Sequence, residues 1–97
     1  MSKKVNLSEQ AFEDIQRLED FIRGFDTSGN TLQKFRRELK IAISMLSKAP
    51  EIGVKQDKSE ERRKYVHYKY IYLYFNLEEE VYITNVFSEH EDWINEI

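Results

Sequence analysis

Tyr65-Val66-His67-Tyr68-Lys69-Tyr70-Ile71-Tyr72-Leu73-Tyr74-Phe75 contains no Gly, no Pro and no acidic residue. Aromatic and β-branched side chains dominate it, which suits a pleated strand. Period-two alternation puts Val66, Tyr68, Tyr70, Tyr72 and Tyr74 on one face and His67, Lys69, Ile71, Leu73 and Phe75 on the other. A strand that is apolar on both sides toward its end needs cover on both. Residues 65–75 are therefore expected to form one continuous central strand, and the rest of the chain must supply what covers it.

On its C-terminal side, Asn76-Leu77-Glu78-Glu79-Glu80 reads as a hairpin turn. Val81–Phe87 is the partner strand, with Val81, Ile83 and Phe87 alternating against Tyr82, Thr84 and Val86. The tail Ser88–Ile97 holds Trp93, Ile94 and Ile97 at roughly helical spacing and fits either a short helix or an extended tail. On the N-terminal side, the polar stretch Val54–Lys64 reads as a solvated loop or an edge strand.

Two helices precede it. Ser8 has the character of an N-cap, with Glu9 in the first turn. Ala11, Ile15, Leu18, Ile22 and Phe25 recur at helical spacing, and Phe12 and Phe21 widen the stripe. Glu13, Asp14, Arg17, Glu19 and Asp20 fill the opposite face. Gly24 and Asp26–Asn30 end this helix in a turn. A second helix from Thr31 to Lys48 buries Leu32, Phe35, Leu39, Ala42, Ile43 and Leu46, and its solvent face is basic through Lys34, Arg36, Arg37 and Lys40. Pro50 stops it. Lys3–Leu7 is a short first strand. The order is α+β: an N-terminal strand, an α-helical hairpin, then an antiparallel β-meander, giving one sheet with two helices packed on one face. Ile71, Leu73 and Phe75 are expected to meet the helices, and the tyrosine face to remain for a partner.

Ninety-seven residues suit a single domain spanning 1–97. With no cysteine there is no disulfide framework and no thiolate metal site. No metal-spaced His set, Gly-rich phosphate loop or Ser-His-Asp arrangement occurs, so no cofactor and no metal are expected. No secretory signal or membrane-length apolar run is present, so the expected compartment is the cytoplasm, with no membrane partner. The net charge of −3 is uneven: after Lys69 there is no Lys or Arg, while seven acidic residues follow. Such a chain lacks the electrostatic footprint of direct, sequence-specific nucleic-acid binding on its own.

The order of these pieces resembles the ParE/RelE superfamily of toxins from bacterial type II toxin–antitoxin systems, closer to ParE. The resemblance rests on Val5-Asn6-Leu7-Ser8-Glu9-Gln10-Ala11 leading into the first helix and on Leu46…Pro50-Glu51-Ile52-Gly53 ending the second. It also rests on Arg62-Arg63-Lys64 before Tyr70–Tyr74, and on Val81–Phe87 as the last strand. It implies a toxin, often tied to plasmid stabilisation, that is neutralised by a cognate antitoxin. ParE-like members inhibit DNA gyrase by protein contact. RelE-like members cut mRNA on the ribosome, for which the resemblance points to Arg62, Arg63, Lys64 and His90 as the cleavage set.

Cleavage requires cations aimed at a phosphorane-like transition state. His90 is the candidate general acid/base, but Glu89, Glu91 and Asp92 surround it with charge that repels RNA. The expected activity is therefore gyrase inhibition by contact. The alternatives are the ribonuclease and an inactive antitoxin-binding module. For antitoxin docking the expected anchors are the aromatic Tyr72, Tyr74, Tyr82 and Trp93, with basic Arg36, Arg37 and Lys40 attracting an acidic segment.

Overall fold

The computed structural model describes residues 2–55 and 61–89. Its elements run β1 (Lys4–Leu7), α1 (Glu9–Phe25), α2 (Asn30–Lys48), β2 (Val54–Lys55), β3 (Arg62–His67), β4 (Tyr70–Asn76) and β5 (Glu80–Ser88). They build one five-stranded sheet in the order β1-β5-β4-β3-β2, with both helices on one face. The meander β2 to β5 is antiparallel, whereas β1 joins the edge parallel to β5, Lys4 beside Glu80 and Leu7 beside Ile83. That parallel pair makes the sheet mixed. It is possible because the helical hairpin and the meander intervene between its strands.

The expected continuous strand is two strands. His67 pairs with Tyr70 across a two-residue turn, Tyr68-Lys69. Tyr68 carries the positive φ (60°) that such tight hairpin turns demand. Folding back on itself resets the alternation, so His67 shares a face with Tyr65, Tyr70 and Tyr72 and not with Ile71. The face assignment is corrected accordingly. Tyr72 and Tyr74 lie in the main core with Leu18, Ile22, Phe35 and Leu46 from the helices. Ile71 and Leu73 join Phe87 in a second cluster on the opposite face of the sheet.

Strand β5 breaks the alternation a second time. Leu73 is opposite Asn85 while Tyr74 is opposite Ile83, so Thr84 is an extra residue in a β-bulge. After the bulge Val86, and not Phe87, turns to the helices. β1 runs beside β5 only as far as Ile83, so beyond it that edge of β5 has no strand neighbour among the described residues, and the start of α1 takes up its backbone groups. Ser8 accepts from the Ala11 amide as N-cap and donates its hydroxyl to the Thr84 carbonyl at 2.8 Å. Asp14 accepts from the Val86 amide at 2.9 Å. This explains why Asp14, expected on the solvent face, is only 3% exposed.

Beneath α1 the sheet accepts only the narrow stripe Ala11, Asp14, Leu18 and Ile22. Phe12, Phe21 and Phe25, expected in that stripe, are exposed. The Asp26–Gly29 turn is held by Asp26, whose carboxylate accepts from the Ser28 and Thr31 amides and the Ser28 hydroxyl. Beyond α2 the chain folds over Tyr74. Its phenol donates to the Pro50 carbonyl at 2.7 Å and accepts from the Gly53 amide at 2.9 Å. Gly53 has no room for a side chain: a β-carbon there would stand 2.6 Å from the Tyr74 oxygen and 2.9 Å from the Lys64 carbonyl.

Candidate interaction surface

Alternation along β3 decides the fate of the basic cluster. Arg63, Tyr65 and His67 point toward the helices, while Arg62, Lys64 and Val66 share the opposite face with Phe75, Leu73 and Ile71. Arg63 donates to the Gly53 carbonyl at 2.8 Å and to the Glu51 carbonyl at 3.3 Å, so it closes the turn after α2. Arg62 and Lys64 lie across the sheet from it. The three cations that a cleavage site would gather are therefore divided between two faces. His90, the expected acid/base, lies outside the described residues.

His67 bonds to Glu38 on α2, with Nε2 and Oε1 2.8 Å apart, and its Nδ1 lies 3.4 Å from the Tyr65 phenol. This link pins β3 to the second helix. Sequence reading missed it because it placed His67 on the wrong face. Beside it sits Tyr72, fully buried. Among the described residues its hydroxyl has no hydrogen-bond partner. Burial pushes the Tyr72 phenol well above the ordinary tyrosine range, and neighbouring Tyr70, Tyr65 and Glu38 add to the effect.

The basic positions of α2 are on the surface as expected, but they are not equivalent. Arg36 turns to α1 and pairs with Glu19, Nε to Oε2 at 2.9 Å, which ties the hairpin together. That bond and charge raise the Arg36 pKa further. Arg37 and Lys40 are exposed, and so are the apolar Ile41 and Met45 on the same helix. Residues 37, 41 and 45 follow one another at i, i+4 spacing, so they form one stripe. A basic and apolar stripe of this kind suits an amphipathic partner helix.

Of the four expected aromatic anchors, Tyr72 and Tyr74 are consumed by the core, because the hairpin turned their face to the helices. Tyr82 is half-buried on the other face, opposite Phe75 and Asn6. Trp93 lies outside the described residues. Among the described residues no group of His or carboxylate side chains could hold a metal ion, and no helix is long and apolar enough to cross a membrane.

The family model for the ParE toxin of the type II toxin–antitoxin system parDE matches residues 5–93. The chain belongs to the ParE toxin family. No curated protein matches it. Solved structures share the fold, among them the following two. One is the chromosomal ParDE TA system from P. aeruginosa, at 11% identity with a TM-score of 0.74, covering 90% of this chain and 96% of that one. The other is the conserved hypothetical protein HP0894 from Helicobacter pylori, at 20% identity with a TM-score of 0.58, covering 94% and 98%. At these identities the likeness speaks for the architecture. It says nothing about individual side chains.

Proposed function

We propose that this ParE-family chain is a single-domain cytoplasmic toxin that inhibits DNA gyrase by protein–protein contact and is neutralised by a cognate antitoxin. The observation that carries the reading is the division of Arg62, Arg63 and Lys64 between the two faces of the sheet, with Arg63 taken up by the Glu51 and Gly53 carbonyls. Phosphodiester cleavage needs several cations preorganised around one phosphate. A fold that spreads them apart and carries net charge −3 is better suited to a protein target. For the antitoxin, the stripe of Arg37, Ile41 and Met45 with neighbouring Lys40 offers charge for encounter and apolar area for an amphipathic helix. Arg36 contributes less because Glu19 already neutralises it. Tyr82 is the remaining described aromatic anchor.

The test is inducible expression without the antitoxin, with a supercoiling assay on purified gyrase run beside a primer-extension map of cellular mRNA. Loss of supercoiling without mRNA cuts is the expected outcome. Codon-phased cuts with normal supercoiling would establish the ribonuclease instead, and neither effect would leave an antitoxin-binding module.

A further inference from the structure

A pocket opens where the end of α1, the start of α2 and the Tyr68-Lys69 turn converge. Its floor is core: Leu18, Ile22 and Phe35. Its wall is unusual for a helix end. Phe21 and Phe25 are 71% and 62% exposed and meet edge to face, with ring centroids 5.4 Å apart. Two large phenyl groups left in water beside a concavity mark an apolar contact site. The cavity measures about 170 Å³. An apolar cavity of about 150 Å³ takes up a benzene ring, so this one has room for a single aromatic side chain.

The mouth is cationic. The ammonium groups of Lys34 and Lys69 stand 4.9 and 5.4 Å from the Tyr68 ring centroid. Among the described residues neither ammonium pairs with a carboxylate, and no carboxylate lines the pocket. The Tyr68 ring reaches this position from a backbone with φ of 60°, the left-handed region that residues with a side chain disfavour. A turn residue free to be Gly or Asn is instead a strained tyrosine that gathers two lysines at a hydrophobic opening.

We propose that this pocket receives an acidic peptide segment of a partner protein, one aromatic side chain entering the cavity and flanking carboxylates meeting Lys34 and Lys69. A stacked nucleobase with its phosphate is the competing occupant. The phenyl walls offer no hydrogen bonds to a base edge, and the net acidic chain disfavours nucleic acid. The inference concerns a binding surface and not toxicity, so a chain inactive on gyrase would still bind the segment.

The probe is a fluorescein-labelled, end-blocked pentapeptide Glu-Asp-Trp-Glu-Asp, titrated with the full chain and followed by anisotropy. Saturable binding is expected. The paired change Lys34→Glu and Lys69→Glu should weaken it about tenfold or more, as should replacing the probe's Trp by Ala. Phe21→Ser with Phe25→Ser should do the same, and being exposed these side chains can be removed without unfolding the chain, as circular dichroism will verify. Lys48→Glu, remote from the pocket, should change affinity by no more than about twofold. Absence of saturable binding, indifference to the charge reversals, or tighter binding of octathymidylate at the same residues would each overturn the proposal.

Discussion

Tyr72 and Tyr74 lie two residues apart on one strand, both fully buried, and removing one oxygen from each should shift stability in opposite directions. Tyr74→Phe deletes a hydroxyl that donates to the Pro50 carbonyl and accepts from the buried Gly53 amide. Leaving that amide without an acceptor costs about 1–3 kcal/mol, so a loss of about 2 kcal/mol is expected. Tyr72→Phe deletes a hydroxyl with no partner among the described residues. An unmade buried hydroxyl carries a penalty of about 1–3 kcal/mol in proteins, so its removal should stabilise by about 1 kcal/mol. The two variants would then differ by about 3 kcal/mol. At a urea dependence of about 1–3 kcal/mol per molar, their midpoints should lie roughly 1–3 M apart on either side of the parent. Urea titration by far-ultraviolet circular dichroism reads this directly. If Tyr72→Phe loses as much as Tyr74→Phe, the Tyr72 hydroxyl is bonded and the reasoning fails.

Three further outcomes follow from the same geometry. Asp14→Ala should cost about 2–3 kcal/mol because it strips the acceptor from the buried Val86 amide, while Asp14→Asn, which keeps an acceptor oxygen, should cost about half as much; equal losses in urea titration would refute the acceptor role. Gly53→Ala should destabilise by about 1–3 kcal/mol by driving a methyl into Tyr74 and the Lys64 carbonyl, and combining it with Tyr74→Phe should cost less than the two losses added. Burial raises the phenols of Tyr65, Tyr70, Tyr72 and Tyr74. A raised folded pKa contributes stability that is complete below the unfolded value near 10 and is lost as pH climbs above it. Tyrosinate absorbance should therefore rise together with loss of circular dichroism; ionisation of these phenols near pH 10 with the fold intact would contradict it.

Periodicity located both helices, Ser8 announced the first and Pro50 closed the second, because those signals are local. The hairpin inside residues 65–75 was invisible for a local reason as well: Tyr68-Lys69 contains none of the Gly, Asn or Asp that such turns favour. One unseen turn reversed the faces of every tyrosine after it, and with them the expected anchors Tyr72 and Tyr74. The Thr84 bulge did the same to Val86 and Phe87. Asp14 could not have been read as buried, since its acceptor role depends on the Val86 amide, 72 residues later, on the edge of β5 that β1 leaves open. The surface residues Arg37 and Lys40 were legible because amphipathicity alone exposes them. The occupation of Arg63 was not, because its partners are main-chain carbonyls that carry no signature in the sequence.

The pairing of β1 with β5 bears on how the chain is made. Among the described residues the first strand finds its only sheet neighbour in β5, Lys4 and Glu80 being 76 residues apart in the sequence. Synthesis at about 5–20 residues per second separates their appearance by roughly 4–15 s. During that interval Ser8 lacks the Thr84 carbonyl, Asp14 lacks the Val86 amide, and α1 has no floor. The nascent polypeptide therefore cannot close its sheet until Glu80–Ser88 has been made, and until then β1 and α1 stay without the strand that anchors them.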